Sequence, residues 1–95
     1  MTNADEKLKE LGFELVRDES YIGAWIYHNP GDDHLVEIND DVDDWFLHSV
    51  TISTNAGQHD PMGLTLTEIQ AFIEKIEELK TTAVNKEENE LKEKN

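Results

Sequence analysis

The stretch LTLTEIQAFIEKIEEL, residues 64–79, decides the fold because it carries the clearest helix signal in the chain. Thr65 and Glu68 form a Thr-x-x-Glu capping box, and Leu64 and Ile69 are placed to form a hydrophobic staple around it. Beyond the box, apolar residues recur every three or four positions, at Ile69, Phe72, Ile73, Ile76, Leu79 and Ala83. This spacing predicts one long helix with a single apolar stripe, which needs a sheet to cover it.

Four strand candidates precede this helix, and clusters of turn-forming residues separate them. The candidates are residues 13–17, 21–28, 35–38 and 44–53. A short helix over residues 3–11 comes first and ends at Gly12, a typical helix stop. The sequence therefore predicts an α+β fold with a short N-terminal helix, a four-stranded antiparallel meander sheet, and one long C-terminal helix packed on one sheet face.

The length of 95 residues allows one domain. We expect it to span residues 1–80, followed by a charged and mostly mobile tail over residues 81–95, which has little apolar surface to bury. The chain has no cysteine, which excludes disulfides, thiolate zinc sites and cysteine nucleophiles. The N-terminus lacks the apolar run of a signal peptide, so the expected location is the cytoplasm.

Charge is distributed very unevenly along the chain. Residues 18–74 contain twelve carboxylates but no lysine or arginine, and the whole chain carries a formal net charge of -14. Such a stretch repels phosphate and anionic membranes, and it attracts cationic surfaces, metal ions or protons. We therefore expect a protein partner, including a basic one, and neither direct nucleic-acid binding nor membrane binding.

No motif for catalysis is present in the sequence. It has no nucleophile elbow, no phosphate-cradling glycine loop and no His-Glu-x-x-His motif. A domain of this size rarely encloses a substrate cavity. The sequence therefore predicts a protein that is not an enzyme, with no catalytic residues and no cofactor.

Strand alternation predicts which side chains face the helix. It assigns three sets to the helix side: Ile22, Ala24 and Ile26; Val36 and Ile38; and Phe46, Val50 and Ile52. Large side chains then lie on the opposite face, next to an acidic turn, where they would provide anchors for a protein partner. This predicted partner-binding site consists of Tyr21, Trp25, Tyr27, Trp45, Leu47, Asp40, Asp41, Asp43 and Asp44.

Two alternatives to this exposed aromatic face remain open at this stage. The N-terminal helix folds back over the aromatic residues through Leu8 and Leu11, or the assignment of faces is reversed and the aromatic residues belong to the core. In a short strand the alternation of side chains gives little information on which side is buried. The sequence therefore does not decide between an exposed and a covered patch.

The histidines suggest a different class of function. His28 and His34 flank the turn at residues 29–33, so a hairpin brings them close to Asp32 or Asp33 in a two-histidine, one-carboxylate arrangement. The alternative hypothesis is therefore a domain that responds to metal or pH. The spacing matches no established zinc pattern, and exposed imidazoles that only change charge with pH are the simpler interpretation, so no metal site is predicted.

Two neighbouring features have simpler interpretations. His48 shares its strand parity with Phe46 and Val50, which predicts a hydrogen-bonded histidine at the edge of the core. The acidic run at residues 39–44 is not an EF-hand loop, because Trp45 and Thr51 stand where that loop needs glycine and glutamate. A solvated turn that discourages edge pairing is the simpler interpretation of the run.

The order of elements also resembles a known group of proteins. A Leu11-Gly12-Phe13 step after a short acidic helix, an aromatic meander and the closing helix at residues 64–79 resemble small uncharacterised proteins of phages and prophages of Gram-positive bacteria. The resemblance covers about residues 5–80, omits the acidic turn at 40–44 and the tail, and implies no established activity or site residue.

Together these observations predict a non-catalytic, acidic protein-interaction module, related to phage or prophage proteins. The alternative within the same class is a nucleic-acid mimic that inhibits a DNA-binding protein. Such a mimic would present strand aspartates at a repeat of roughly 6.6–6.8 Å, the spacing of alternate strand residues.

Overall fold

The structure is a computed structural model that describes residues 3–41, 44–52 and 59–93, without the side chains of His59 and of residues 82–93. The chain forms two helices and five strands in the order α1 (Asn3–Glu10), β1 (Glu14–Glu19), β2 (Ala24–Asn29), β3 (His34–Asp40), β4 (Trp45–Ile52), β5 (His59–Pro61) and α2 (Leu66–Glu93). Each strand pairs antiparallel with the next, in the order β1-β2-β3-β4-β5. The predicted α+β fold is confirmed, and the sheet has one more strand than expected.

The fifth strand lies in a region that the sequence predicts as loop. β5 pairs with β4, with Val50 opposite Pro61 and Ile52 opposite His59. Beyond the strand, the Met62 amide donates to the Ser49 carbonyl at 3.1 Å. Three residues that include a proline are too short to show strand periodicity, which is why the pattern gave no signal.

The segment from Ser20 to Ile22 also differs from the prediction, because it forms a 3-10 turn before β2 begins. Gly23 ends this turn with φ 74°, and a Cβ at that position would lie 2.9 Å from the Asp40 carbonyl oxygen. Both the left-handed backbone and the close approach of Asp40 favour glycine there. Tyr21 is therefore a turn residue and not a strand residue.

The capping box of α2 is confirmed. The Thr65 amide donates to Glu68 Oε1 at 2.8 Å, and the Glu68 amide donates to Thr65 Oγ1 at 3.1 Å. The helix continues through residues 81–93 of the predicted tail. The mobility of that tail stays a prediction, since residues 94–95 and the side chains from 82 onward lie outside the described residues.

Both helices pack on the same side of the sheet, which we call the covered face. Phe72 of α2 is fully buried, with ring centroids 5.1 Å from Phe13 and 5.5 Å from Tyr27, both edge to face. Leu8 of α1 joins the same core, and Val36 lies in it on the sheet side. Neither helix, within the part of the chain described, is apolar over enough length to cross a membrane.

Ion pairs join the two helices above this core. Lys7 Nζ lies 2.7 Å from a carboxylate oxygen of Glu74, and Lys75 Nζ lies 2.9 Å from Asp5 Oδ1. The first pair is largely solvent-exposed, so it contributes at most about 1 kcal/mol to stability. The burial of Leu8 and Ala4, both nearly inaccessible, is therefore the main reason that α1 stays docked.

The predicted assignment of the sheet faces is right for β3 and wrong for β2 and β4. Trp25 lies opposite Ile38, and Ile38 lies opposite Leu47, so all three side chains are on the covered face. Trp25 is only 9% exposed and Tyr27 only 3%. Alternation separates the two sets of β2 side chains, but both sets are apolar, so it does not identify the buried set.

The alternatives that the sequence left open are therefore both realised. The face assignment is reversed in β2, and α1 covers the aromatic residues through Leu8, with Leu11 packed against the same core. Two helices bury more apolar surface by covering the larger side chains, Trp25 and Tyr27, than by covering Ala24 and Ile26.

Candidate functional site

The predicted aromatic binding face does not exist as an exposed surface. Trp25 and Tyr27 are core residues, while Trp45 and Leu47 are half-buried and pack against that core. The two indoles stack, with ring centroids 5.7 Å apart and planes 16° apart. Of the five apolar residues assigned to the site, Tyr21 is the exposed one, at 82%.

The acidic members of the predicted site are exposed where the structure describes them. Asp40 is the last residue of β3, Asp41 follows it, and Asp44 precedes β4 with its Oδ1 accepting the Trp45 amide at 2.8 Å. Asp43 lies outside the described residues. Asp44 thus shapes the start of β4, and the acidic residues here are no longer the rim of an aromatic patch.

The other side of the sheet, which we call the open face, is covered by neither of the two helices in the described part of the chain. Alternation and register place on it the apolar side chains Ile26, Leu35, Phe46 and Val50, and Val16 joins them. A groove of about 380 Å³ runs across this face. Its lining residues, all from strands, are Val16, Arg17, Ile26, Leu35, Glu37, His48 and Val50. This groove is the candidate functional site.

A β-bulge in β1 shapes one wall of the groove. Leu15 lies opposite Tyr27 and Arg17 lies opposite Ile26, so Val16 is an extra residue in β1. Because of this insertion, Val16 and Arg17 both line the groove although they are consecutive in the strand. The Arg17 guanidinium is held by its own strand, with Nε 2.9 Å from Glu19 Oε1.

Glu37 lies in the floor of the groove, on the central strand. Its cross-strand neighbours are Ile26 on β2 and His48 on β4. The residue is half-buried, and within the described part of the chain its carboxylate makes no hydrogen bond or ion pair. A half-buried carboxylate between Ile26 and His48 that has no partner within the described residues favours a cationic or hydrogen-bond-donating group from outside.

The predicted pairing of His28 with His34 is wrong. His34 lies opposite Asn29 and faces the core, whereas His28 is one position away and faces the opposite side. His34 is fully buried, with Nε2 hydrogen-bonded to Ser49 Oγ and its ring 5.4 Å from that of Phe13. Among the described residues no cluster of three metal-ligating side chains is present.

Two further histidines, His28 and His48, lie on or next to the open face. His28 Nε2 lies 3.7 Å from Asp33 Oδ1, at one end of the sheet. His48 is exposed in the groove, so its predicted place at the core edge is wrong. The parity with Phe46 and Val50 was correct, but that set of residues faces away from the helices.

The strands do not carry the row of acidic side chains that a nucleic-acid mimic would need. In β1, β3 and β4 no two carboxylates occupy alternate positions of the same strand. Acidic residues instead flank β3 on both sides, with Asp32 and Asp33 before the strand and Asp41 after it. The expected repeat of carboxylates along a strand is therefore not formed by the described strands.

A second groove lies on the helical layer, between α1 and the outer side of α2. Its volume is about 510 Å³, and it is lined by Asn3, Ala4, Ile73, Glu74, Glu77, Glu78 and Thr81. Glu74 is already paired with Lys7 there. Its acidic residues belong to the region where the two helices contact each other. This groove is therefore the alternative binding surface against which binding at the open face is compared.

Comparison with known proteins yields no relative for this chain: no family model, curated protein or solved structure matches it. The resemblance to small phage and prophage proteins therefore stays a prediction. A signal for the candidate site was present in the sequence, because Leu35 and Val50 stand out of phase with the core residues Val36 and Leu47.

Proposed function

We propose that this protein is a non-catalytic interaction module that binds a protein partner through the open face. The single observation that carries the proposal is the one-sided covering of the sheet. Both helices pack on the covered face, while Val16 and Phe46 on the open face remain 48% exposed each. Exposed apolar side chains that form a continuous patch are typical of interaction surfaces.

The shape of the groove supports binding of a side chain or a short segment of a partner. The groove is lined by residues of four neighbouring, hydrogen-bonded strands, so little ordering of the backbone is needed on binding. Four of its lining residues are apolar, and Arg17, Glu37 and His48 are the polar ones. Apolar walls with a few placed polar groups are the usual composition of a recognition site.

The biological setting of the proposal comes from the sequence resemblance. If the chain is related to phage or prophage proteins of Gram-positive bacteria, the partner is a phage protein or a host protein. A phage setting also accommodates the excess of 22 acidic over 8 basic residues, because an acidic surface steers toward basic partners. We do not propose the nucleic-acid mimic, since the described strands lack its row of carboxylates.

The proposal is tested by affinity capture from a lysate of a Gram-positive bacterium with two matched double variants. In the first, Val16→Ser and Phe46→Ser remove apolar groups from the open face. In the second, Leu66→Ser and Ile73→Ser remove exposed apolar groups from α2, where Leu66 is 78% and Ile73 is 48% exposed. We expect a defined partner to be captured by the wild type and the α2 variant but lost from the open-face variant.

The melting temperature of each variant, measured alongside, keeps the comparison valid. Both doubles replace half-exposed or exposed side chains, so both are expected to remain folded. If the open-face double captures the same proteins as the wild type, the open face is not the binding surface. The same conclusion follows if partners are lost only from the α2 double.

A further inference from the structure

The charge on the open face has one sign in the strands that form its centre. β2, β3, β4 and β5 contain no lysine or arginine, because residues 18–74 contain none. Arg17 of β1 is the one cationic side chain in the lining of the groove, and it is engaged by Glu19 at 2.9 Å. The apolar groove is therefore set in a negative field, which is strongest toward a partner in low salt.

The acidic groups are distributed along the central strand. Glu37 lies in the middle of β3, Asp33 lies just before this strand, and Asp41 just after it. Glu37 is four positions away from each of the other two, a distance of roughly 13 Å along extended chain. A ligand that spans the groove along β3 thus meets a carboxylate at its centre and one beyond each end.

Glu37 distinguishes this groove from a simple hydrophobic patch. Ionised carboxylates that lose water without gaining a partner are costly, so an uncharged apolar partner would bury Glu37 at a penalty. A lysine or arginine of the partner converts that penalty into a charge-assisted hydrogen bond. The groove therefore selects a cation at its centre and apolar groups beside it.

A second copy of this chain is the poorer occupant. Two open faces brought together would set Glu37 and the flanking aspartates of one copy against the same groups of the other. Each chain carries a formal charge of -14, so the approach of two copies is opposed over its whole course. The guanidinium of Arg17 is the available counter-charge on the face, and it already pairs within its own strand.

We propose that the open face binds a cationic protein segment with apolar anchors, in which a lysine or arginine reaches Glu37 while neighbouring apolar side chains contact Ile26, Leu35 and Val50. This inference rests on the proposed function and deepens it by naming the chemistry of the partner. The anchors supply the contact area, and Glu37 supplies the preference for positive charge.

The test is a titration of the isotopically labelled full chain, followed by amide NMR at low salt, with three synthetic probes. The first is an amphipathic peptide of leucine and lysine, the second has each lysine replaced by glutamate, and the third is oligolysine. We expect the leucine–lysine peptide to shift amides of β2, β3 and β4 around Glu37. The glutamate peptide is expected not to bind, and oligolysine is expected to bind more weakly because it lacks anchors.

A matched pair of charge variants separates recognition by Glu37 from general attraction. Glu37→Gln is expected to weaken binding of the leucine–lysine peptide by roughly tenfold or more. Glu6→Gln makes the same change of net charge at an exposed position of α1, on the helical layer, and is expected to weaken binding by less than about twofold. Equal effects of the two variants would overturn the inference.

Other outcomes contradict the inference in distinguishable ways. Equal binding of the glutamate peptide at the open face, or oligolysine as tight as the leucine–lysine peptide, would remove the cationic, anchored partner but leave the proposed function standing. Shifts confined to the groove between α1 and α2 would overturn the inference, as would a dimer in sedimentation that the Val16→Ser, Phe46→Ser double dissociates. Failure of the proposed function is detected in a separate experiment, the affinity capture from lysate.

Discussion

The covered face and the open face of the sheet are built from similar residues but have different fates. Val36 and Leu35 are adjacent in β3, yet Val36 is fully buried against the helices while Leu35 lines an uncovered groove. β2, β3 and β4 each offer apolar side chains to both sides, and both helices described by the structure pack on one of them. Apolar residues on a strand can face either side of the sheet, and the position of the helices decides which side becomes core.

The largest expected effect comes from removing the centre of the covered face. Phe72 contacts both Phe13 and Tyr27 through edge-to-face ring packing and is fully buried. Phe72→Ala is expected to lower the free energy of unfolding by about 3–5 kcal/mol, through lost burial and the cavity left behind. Urea denaturation followed by circular dichroism measures this loss. A loss below about 1 kcal/mol would mean that α2 does not hold the covered face as described.

A pair of identical substitutions on the two faces sharpens the comparison. Val36→Ala removes two methyl groups from the core and is expected to cost about 2 kcal/mol, from transfer and cavity terms together. Val16→Ala makes the same change at a side chain that is 48% exposed on the open face, with an expected cost below about 0.5 kcal/mol. The two midpoints in urea, measured under one condition, give the difference. Equal costs would contradict a one-sided core.

The Tyr27 hydroxyl gives the covered face a pH dependence. It is buried without a hydrogen-bond partner among the described residues, and burial, followed by the nearby charges of Asp5, Asp18 and Glu78, raises the pKa of Tyr27 well above its ordinary value. The folded state therefore holds the phenol proton more tightly than the unfolded state. This contribution to stability is fully present below about pH 10 and is lost as the pH rises above that value.

The expected slope is a fall of up to about 1.4 kcal/mol per pH unit above pH 10, for one phenol proton. It is measured as the difference in unfolding free energy between wild type and Tyr27→Phe at pH 9 and at roughly pH 11. Tyr21→Phe, at a side chain that is 82% exposed, is the matched control and is expected to keep the slope. A slope that disappears in the Tyr21 variant and persists in the Tyr27 variant would place the wrong tyrosine in the core.

The smallest expected effect concerns the ion pair between the helices. Lys7→Met removes the contact with Glu74 at 2.7 Å but keeps Leu8 and Ala4 buried. The expected loss is below about 1 kcal/mol and shrinks further in high salt, because the pair is exposed. Thermal unfolding at two salt concentrations checks it. A loss of several kcal/mol would mean that α1 docks by charge and not by its apolar face.

Local features of the fold were predictable from the sequence where a single mechanism determines them. The capping box at Thr65 and Glu68 marked the start of α2, and turn residues marked the hairpins between β2, β3 and β4. The three-residue β5 escaped because pairing with β4, and not its own sequence, makes it a strand. The capping box and the turns are thus encoded in the local sequence, whereas β5 forms only through its tertiary contact with β4.

The candidate site was predictable only in part, for the same reason. Alternation correctly separated Trp25 and Tyr27 from Ala24 and Ile26, but choosing the buried set required the position of α1. Register would have corrected the choice, since Trp25 lies opposite Ile38, which had been assigned to the core. The bulge at Val16 brings Arg17 into the groove. The alternation of apolar and polar residues in β1 does not reveal such an inserted residue.

The most direct test of one-sided covering uses the absence of cysteine from the chain, which makes single thiols informative. Val36→Cys places a thiol on the covered face, and Val16→Cys places one on the open face. Labelling with a thiol reagent under native conditions is measured relative to the rate in denaturant. The Val16→Cys thiol is expected to react at close to the denatured rate, and the Val36→Cys thiol only as the protein unfolds. Fast labelling at position 36 with protection at position 16 would contradict the account.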